Sequence, residues 1–408
     1  MTQATELMST HRAPHVRIVG AVSAAHFVSH YYILLLAPLL PFVRADYGVS
    51  YTQIGFALAA FNIVSAALQT PAGFLVDWLG ARMLLIAGLI VGALAYIVVG
   101  LVDSFWVMVV MFALAGVGNT VYHPADYSLL SHHVPSERIG QAYSIHTFAG
   151  LLGSAVTPAS LLIMQNLWGW RGAFIGAGVF GLLVAAVLLA VREEPAATAT
   201  AKRGDAAKPA DANTQTAWQL LLSAPILLNM LFFVLIALMS GGMFNYSVVA
   251  LGALYATPVT IANGALSALL LLSAIGVLIG GLAVTRTSRH GLVASLGLVG
   301  MAIPAALVAS FDFNTLALVA VMTVFGFFFG FISPSRDMIV REVTPPGSFG
   351  KVFGFVTTGF NLGGIVSPVI FGAIMDAGHP RQVFLVVAAS ALAAILTVAT
   401  VPRQTIKA

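Results

Sequence analysis

The 408-residue chain has no cysteine, which excludes disulfides, thiolate nucleophiles and cysteine metal ligands. Charge is nearly as scarce. Asp, Glu, Lys and Arg make up 8% of residues, against roughly a quarter in an ordinary soluble domain. The net charge of +4 is scattered singly between apolar runs, so no nucleic-acid partner is expected. Three catalytic signatures are also missing: HExxH, the GxSxG nucleophile elbow and the phosphate-binding P-loop. Neither an enzyme nor ATP as a direct energy source is therefore expected, and no cofactor is called for. The polar first residues, Met1 to Arg17, contain no apolar core, and a cleaved signal peptide is not expected.

What is abundant is apolar bulk: 59% of residues are hydrophobic, and the mean hydropathy is +0.97. Apolar runs of about 20 residues, the length that crosses a ~30 Å hydrocarbon core, recur along the chain. The pattern predicts an all-α polytopic membrane protein with twelve spans, at 18–41, 52–76, 83–102, 106–130, 138–165, 170–191, 220–250, 259–284, 291–310, 314–340, 348–374 and 381–401. Residues 192–217, rich in Ala, Pro, Thr and charge, read as a cytoplasmic linker between two six-helix bundles, 18–191 and 218–402. Tails at 1–17 and 403–408 complete the expected organisation.

Charge bias orients the spans. With both termini and the linker cytoplasmic, that side receives all but three of the 18 Lys and Arg, the exceptions being Arg44, Arg171 and Arg381. This is the distribution the positive-inside rule describes.

The two halves also repeat. A shift of 210 aligns Gly116–Pro158 with Gly326–Pro368 without a gap, with nine of 43 positions identical. Six of the nine are Gly or Pro, including the pairs Pro124/Pro334, Gly153/Gly363 and Pro158/Pro368. Such residues set bends and close helix approach rather than apolar bulk. Those six, with Gly150, are expected to bend the helices or pack them closely. Two related bundles with a site near the midplane form a transporter architecture.

Two stretches then resemble a known family. "GFLVDWLGARMLL" (Gly73 to Leu85) resembles the signature loop of the major facilitator superfamily in Gly73, Asp77, Gly80 and Arg82, and "GWRGAF" is similar to that superfamily's sixth span. The resemblance implies the major facilitator fold, with an Asp at a helix end latching a neighbouring helix terminus. The twin loop "GLAVTRTSRHG" has Thr285 where the Asp would be, so the latch is expected on one side only. Within the superfamily, His26–Gly55, "VYHPAD" (Val121 to Asp126) and "GLLGSAVTP" (Gly150 to Pro158) resemble the fosmidomycin-resistance efflux group. Two departures stand out. That group tends to carry Asp where this chain has His30, and an Arg common in proton antiporters is replaced by Phe112.

The candidate site residues are the polar groups inside the spans. His26 and His30 lie four apart, about 40° around a helix, with Ser23 on the same face. Counted from Ile18, His30 lies about 18 Å into its span. A charge at that depth costs several kcal/mol and needs a cavity or a partner. The pair reads either as a protonatable or solute-binding site, since imidazole titrates near neutral pH, or as neutral packing groups. No metal is expected on it, because no carboxylate accompanies it at that depth. Asn119, His123 and Asp126 share a face of span four, although Pro124 bends it. Counting from Trp106 puts His123 about 25 Å along and Asp126 nearly 30 Å, so both are expected near the cytoplasmic mouth. His132 and His133 read as solvated. His146, Gly150, Gly153 and Thr157 form a stripe expected to be a packing seam. Asn62 and Gln69 read as interhelical hydrogen-bonding groups or cavity residues. In the second half, Gly241 and Gly242 are expected to break span seven, with Asn245 and Tyr246 offered to a solute. Arg336 serves either as a snorkelling cation or as an attractor of anions.

The leading expectation is a monomeric secondary active transporter of the bacterial-type inner membrane, exporting a small organic solute against protons by alternating access. The alternative is proton-coupled uptake of a small organic anion. A divalent-metal transporter and a non-transporting membrane receptor stand behind these two.

Overall fold

The computed structural model describes residues 13–135, 138–191, 217–345 and 348–399. Residues 1–12, 192–216 and 400–408 lie outside the described residues, and with them most of the expected linker and tails. All regular structure among the described residues is helical, and 11 helices are long and apolar enough to cross a membrane. One of the 11, Ile139–Ala190, has 52 residues. At 1.5 Å per residue that is about 78 Å, too long for one crossing. Gly169 at φ 72° and ψ 171° divides it, a conformation open to glycine alone. Two limbs follow, and the twelve expected spans are all present.

The chain divides into two compact units: the described residues of 1–47 with 60–200, and those of 48–59 with 201–408. In the first unit, span one is α1 (Ala13–Ile33), a 3-10 turn at Ala37–Leu39, and α2 (Leu40–Tyr47). Pro38 and Pro41 have no N–H to give, and the helix is interrupted where they fall. Then come α3 (Tyr51–Leu79), α4 (Ala81–Leu101), α5 (Phe105–Asn119), α6 (Tyr122–His133) and α7 (Ile139–Ala190). Span four is thus two helices, interrupted at Thr120–Val121. Pro124 lacks the N–H that would bond the Thr120 carbonyl, which places the interruption one turn before it. The first limb of α7 runs against α1, where a Cβ on Gly153 would sit 3.0 Å from the Phe27 carbonyl carbon. Small residues here permit backbone contact, as the stripe predicted. Tyr96, Phe112 and Phe174 fill the centre with ring centroids 5.5 to 6.1 Å apart. At one end Arg171 pairs with Asp46 and Asp103 and lies 4.3 Å over the Trp170 ring.

The second unit contains α8 (Ala224–Ser240), a π-helical turn at Gly241–Tyr246, α9 (Ser247–Tyr255), α10 (Val259–Arg286), α11 (His290–Ser310), α12 (Thr315–Glu342), α13 (Phe349–Asp376) and α14 (Pro380–Ala399). Span seven is therefore widened at Gly241 and Gly242 rather than broken. One residue is accommodated by a π turn, a common device near functional positions. The first turns of α3 belong to this unit. Asp376 accepts from the backbone N–H groups of Tyr51 and Thr52 at 2.7 and 2.9 Å, and from the Thr52 hydroxyl at 2.6 Å. A carboxylate satisfying the free donors of a helix start is an N-cap supplied from another helix.

The repeated glycines and prolines do not act alike in the two halves. Pro334 does not interrupt its span as its twin Pro124 does: α12 continues through it. Packing holds the helix continuous there. One turn earlier, a Cβ on Gly330 would lie 2.7 Å from the Ser273 carbonyl carbon, so α12 is held directly against α10 in the turn that lacks the N–H. Pro158 and Pro368 likewise lie inside α7 and α13 without a break. Gly363 is also no point of interruption, since α13 runs unbroken from Phe349 to Asp376. Its part is close approach: a Cβ there would lie 2.7 Å from the Val234 carbonyl oxygen of α8, a counterpart to Gly153 against Phe27.

Candidate functional site

The first unit gathers five ionisable groups from three helices. His26 and His30 come from α1, His123 and Asp126 from α6, and His146 from the first limb of α7. The His26 ring stacks on that of His146, with centroids 3.8 Å apart and planes at 25°. It meets His30 edge-on at 4.6 Å and His123 at 5.4 Å. Asp126 is wholly buried, with Oδ2 3.5 Å from His26 Nδ1 and 3.7 Å from His146 Nε2. Both Asp126 oxygens, both His146 nitrogens and His26 Nδ1 are buried without a hydrogen bond. An unpaired polar atom in such a place costs roughly 1–3 kcal/mol. Stability alone would select against this concentration of them.

Local sequence builds the cluster. His26 and His30 share one face of α1 because they are four apart. Gly150 makes room for them: a Cβ there would lie 2.6 Å from His26 Nε2 and 2.9 Å from His30 Cδ2. Ser154, one turn further along α7, meets His30 Nδ1 at 3.3 Å. His123 is exposed and forms the accessible side of the group.

Two expectations about position are corrected here. Asp126 is buried beside His26 instead of standing at a mouth near the surface. Counting residues along a helix gives depth but not the direction in which a side chain points. The premise that no carboxylate accompanies His26 falls with it. His146, taken for part of a packing seam, is a member of the cluster. Its sequence signal was the glycine one turn on, which leaves room for a neighbour's ring.

Other candidates lie elsewhere. Asn119 turns away from the cluster across the α5–α6 interruption and donates to Ser65 Oγ at 3.4 Å. Tyr246 is fully buried and donates to the Pro368 carbonyl at 2.7 Å, so it ties span seven to α13 and is not presented to a solute. Asn245 leaves its Oδ1 buried and unbonded in the π turn. Arg336 pairs with its neighbour Asp337 at 2.8 Å and lies over the rings of Phe233 and Phe360 at 4.9 and 5.2 Å. His132 and His133 end α6, each with Nδ1 facing a carbonyl one turn back. In the signature loop, Gly73 borders open space, and Gly80 takes φ 93° to start α4. Asp77 is exposed and makes no ion pair among the described residues. The latch is instead Arg82, which donates to the carbonyls of Leu188, Leu189 and Val191 at the end of α7. A cation on the free carbonyls of a helix end is favoured by their partial negative charge. A cleft of about 1000 Å³ opens there between Asp77, Arg82, Ser128, His132 and His133, and none of the cluster residues lines it.

An all-helical, membrane-spanning chain with ionisable groups enclosed among its helices has the build of a polytopic transport protein. The Major Facilitator Superfamily model matches residues 22–264 and 230–407, and the chain belongs to that family. The probable sulfoacetate transporter SauU of Cupriavidus necator is 28% identical over 40% of this chain and 38% of its own length. A probable L-galactonate transporter of Escherichia coli is 30% identical over 35% of this chain and 32% of its own. The fosmidomycin resistance protein of Escherichia coli is 26% identical over 41% and 42%. Each match thus spans less than half of the relative. Among solved structures, a point mutant of the nucleoside transporter NupG superposes with a TM-score of 0.76, at 15% identity, over 94% of this chain and 99% of that one. That likeness is one of fold. SauU, the L-galactonate protein and NupG are each named as transporters.

Proposed function

We propose that the chain is a proton-coupled secondary transporter of the cytoplasmic membrane, with both termini cytoplasmic, that exports a small organic solute by alternating access. The observation that carries this reading is the enclosed Asp126 flanked by His26 and His146. A carboxylate and imidazoles within 4 Å, all without hydrogen bonds, form a group that takes up and releases a proton with a change of partners. His123 stands on the exposed side of that group. The likeness to the fosmidomycin resistance protein supports export as the direction.

A second reading, uptake of a small organic anion with protons, has its own support. Arg336 is a cation set on aromatic faces, and the named relatives include transporters of sulfoacetate, galactonate and nitrate, all of them anions. The test is proton movement in proteoliposomes loaded with a pH-sensitive dye and challenged with phosphonates, sulfonates, sugar acids and cationic drugs. Export by antiport sends protons opposite to the solute, and symport sends them with it. Solute flux without any proton movement overturns both.

A further inference from the structure

We infer that His26, Asp126 and His146 form a binding site for a divalent transition-metal ion of the zinc class. Each contributes one ligand atom, and the three atoms lie within 4.8 Å of one another. Two of the separations are 3.5 and 3.7 Å. A tetrahedral ion with arms of about 2.0–2.1 Å has ligand–ligand edges of roughly 3.3–3.4 Å. The carboxylate is therefore within a few tenths of an ångström of a ligating position relative to both rings.

Independent support comes from bonding. His26 Nδ1, His146 Nε2 and both Asp126 oxygens make no hydrogen bond, and all three side chains are more than nine-tenths buried. Ligand atoms must present free lone pairs, and these do. The donor set of two imidazoles and one carboxylate, without thiolate, suits Zn²⁺, Co²⁺ or Ni²⁺. It does not suit Mg²⁺ or Ca²⁺, which take shells of oxygen. One net charge of +1 would remain in place of an isolated buried carboxylate.

Loading requires one movement. The rings of His26 and His146 lie at 25°, 3.8 Å apart, so their in-plane lone pairs run nearly parallel and do not converge. One imidazole must turn about its Cβ–Cγ bond for the lone pairs to converge. The two other imidazoles nearest the triad are His30 and His123, 4.6 and 5.4 Å from the His26 ring. The titratable groups facing the triad are His30 from α1, and Tyr122, His123 and Tyr127 from α6. No Lys or Arg pairs with Asp126 among the described residues. Metal and proton need the same lone pairs, so they exclude one another. Only the consequence that a bound ion halts proton-coupled flux rests on the transport reading.

The site is tested on the full chain, purified in detergent with any affinity tag removed, by calorimetric titration with Zn²⁺ and by the visible absorption of Co²⁺. One ion per chain is expected, bound at least about tenfold more tightly at pH 8 than at pH 6 because the ligands must be deprotonated. Asp126→Asn and His146→Gln should each weaken binding tenfold or more, the usual scale for losing part of a metal's shell. A His132→Gln/His133→Gln variant should bind as the parent does. X-ray absorption of the Zn²⁺-loaded parent needs no variant to fold. It should show imidazole nitrogens and a carboxylate oxygen at about 2.0–2.1 Å. Absence of saturable binding overturns the site, as does binding lost with His132 and His133 but kept without Asp126. None of these readouts depends on transport, so a failed flux assay and a failed metal site are separate results.

Discussion

Asp126 Oδ2 and His26 Nδ1 approach to 3.5 Å across the α6–α1 contact, with the carboxylate wholly enclosed and neither atom hydrogen-bonded. The acid and base are near enough to exchange a proton after a small shift and too far apart to be locked together. A structural pair would be shorter and bonded. The geometry is one of readiness, and it joins α1 and α6.

Gly150 is predicted to be irreplaceable for this arrangement. Gly150→Ala puts a methyl 2.6 Å from His26 Nε2, and overpacking of that kind costs about 1–3 kcal/mol. The melting temperature in detergent should fall and transport should be lost. Gly140→Ala, where a Cβ meets nothing within 4 Å, should leave both unchanged or slightly improved.

Much of the fold was legible in the sequence because a membrane span is written in length and hydropathy, which the bilayer enforces residue by residue. The break at Gly169 fell between two predicted spans for that reason. The prolines were less legible: Pro124 and Pro334 occupy matching positions in the repeat, yet only the first accompanies an interruption. Whether a helix yields at a proline depends on the neighbours that hold it, which the local sequence does not record. The site was harder still. His26 and His30 were visible as polar groups at one helical face, but the approach of Asp126 and His146 depends on how α1, α6 and α7 are rotated about their own axes. Sequence periodicity in an almost uniformly apolar helix hardly records that rotation. The repeat also sets Asp126 in register with Arg336, one in an imidazole cluster and one on two phenylalanine rings. Corresponding positions in the two halves thus hold an acidic and a basic side chain. Tyr246 misled because an aromatic beside paired glycines resembles a site, whereas its hydroxyl is used on a backbone carbonyl.

For Tyr246 the expectation is accordingly structural. Tyr246→Phe removes the donor to Pro368 and leaves a buried carbonyl with one partner fewer, at about 1–2 kcal/mol. Thermal unfolding should shift down by a few degrees while the order of preference among solutes stays the same. A changed preference would place Tyr246 in the solute site.

Asp376 should behave as a helix cap. Asp376→Ala frees the N–H groups of Tyr51 and Thr52, a loss of about 1 kcal/mol for a cap of this type. Amide exchange at residues 51–54 should rise, with Asp376→Asn retaining part of the protection through its amide oxygen.

Arg82 is the latch at the end of α7. Arg82→Gln removes the cation from the Leu188, Leu189 and Val191 carbonyls and should cost about 0.3–1 kcal/mol. Local amide exchange at 186–191 should increase. Asp77→Asn, at an exposed side chain without an ion pair among the described residues, should leave that exchange as it was.

The most direct test of the account compares the parent and Asp126→Asn in proteoliposomes, measuring solute-driven proton movement and solute counterflow side by side. The amide keeps the shape of the carboxylate and cannot take up a proton. The account predicts that Asp126→Asn abolishes proton movement while counterflow of the same solute persists. Proton movement undiminished in Asp126→Asn contradicts it.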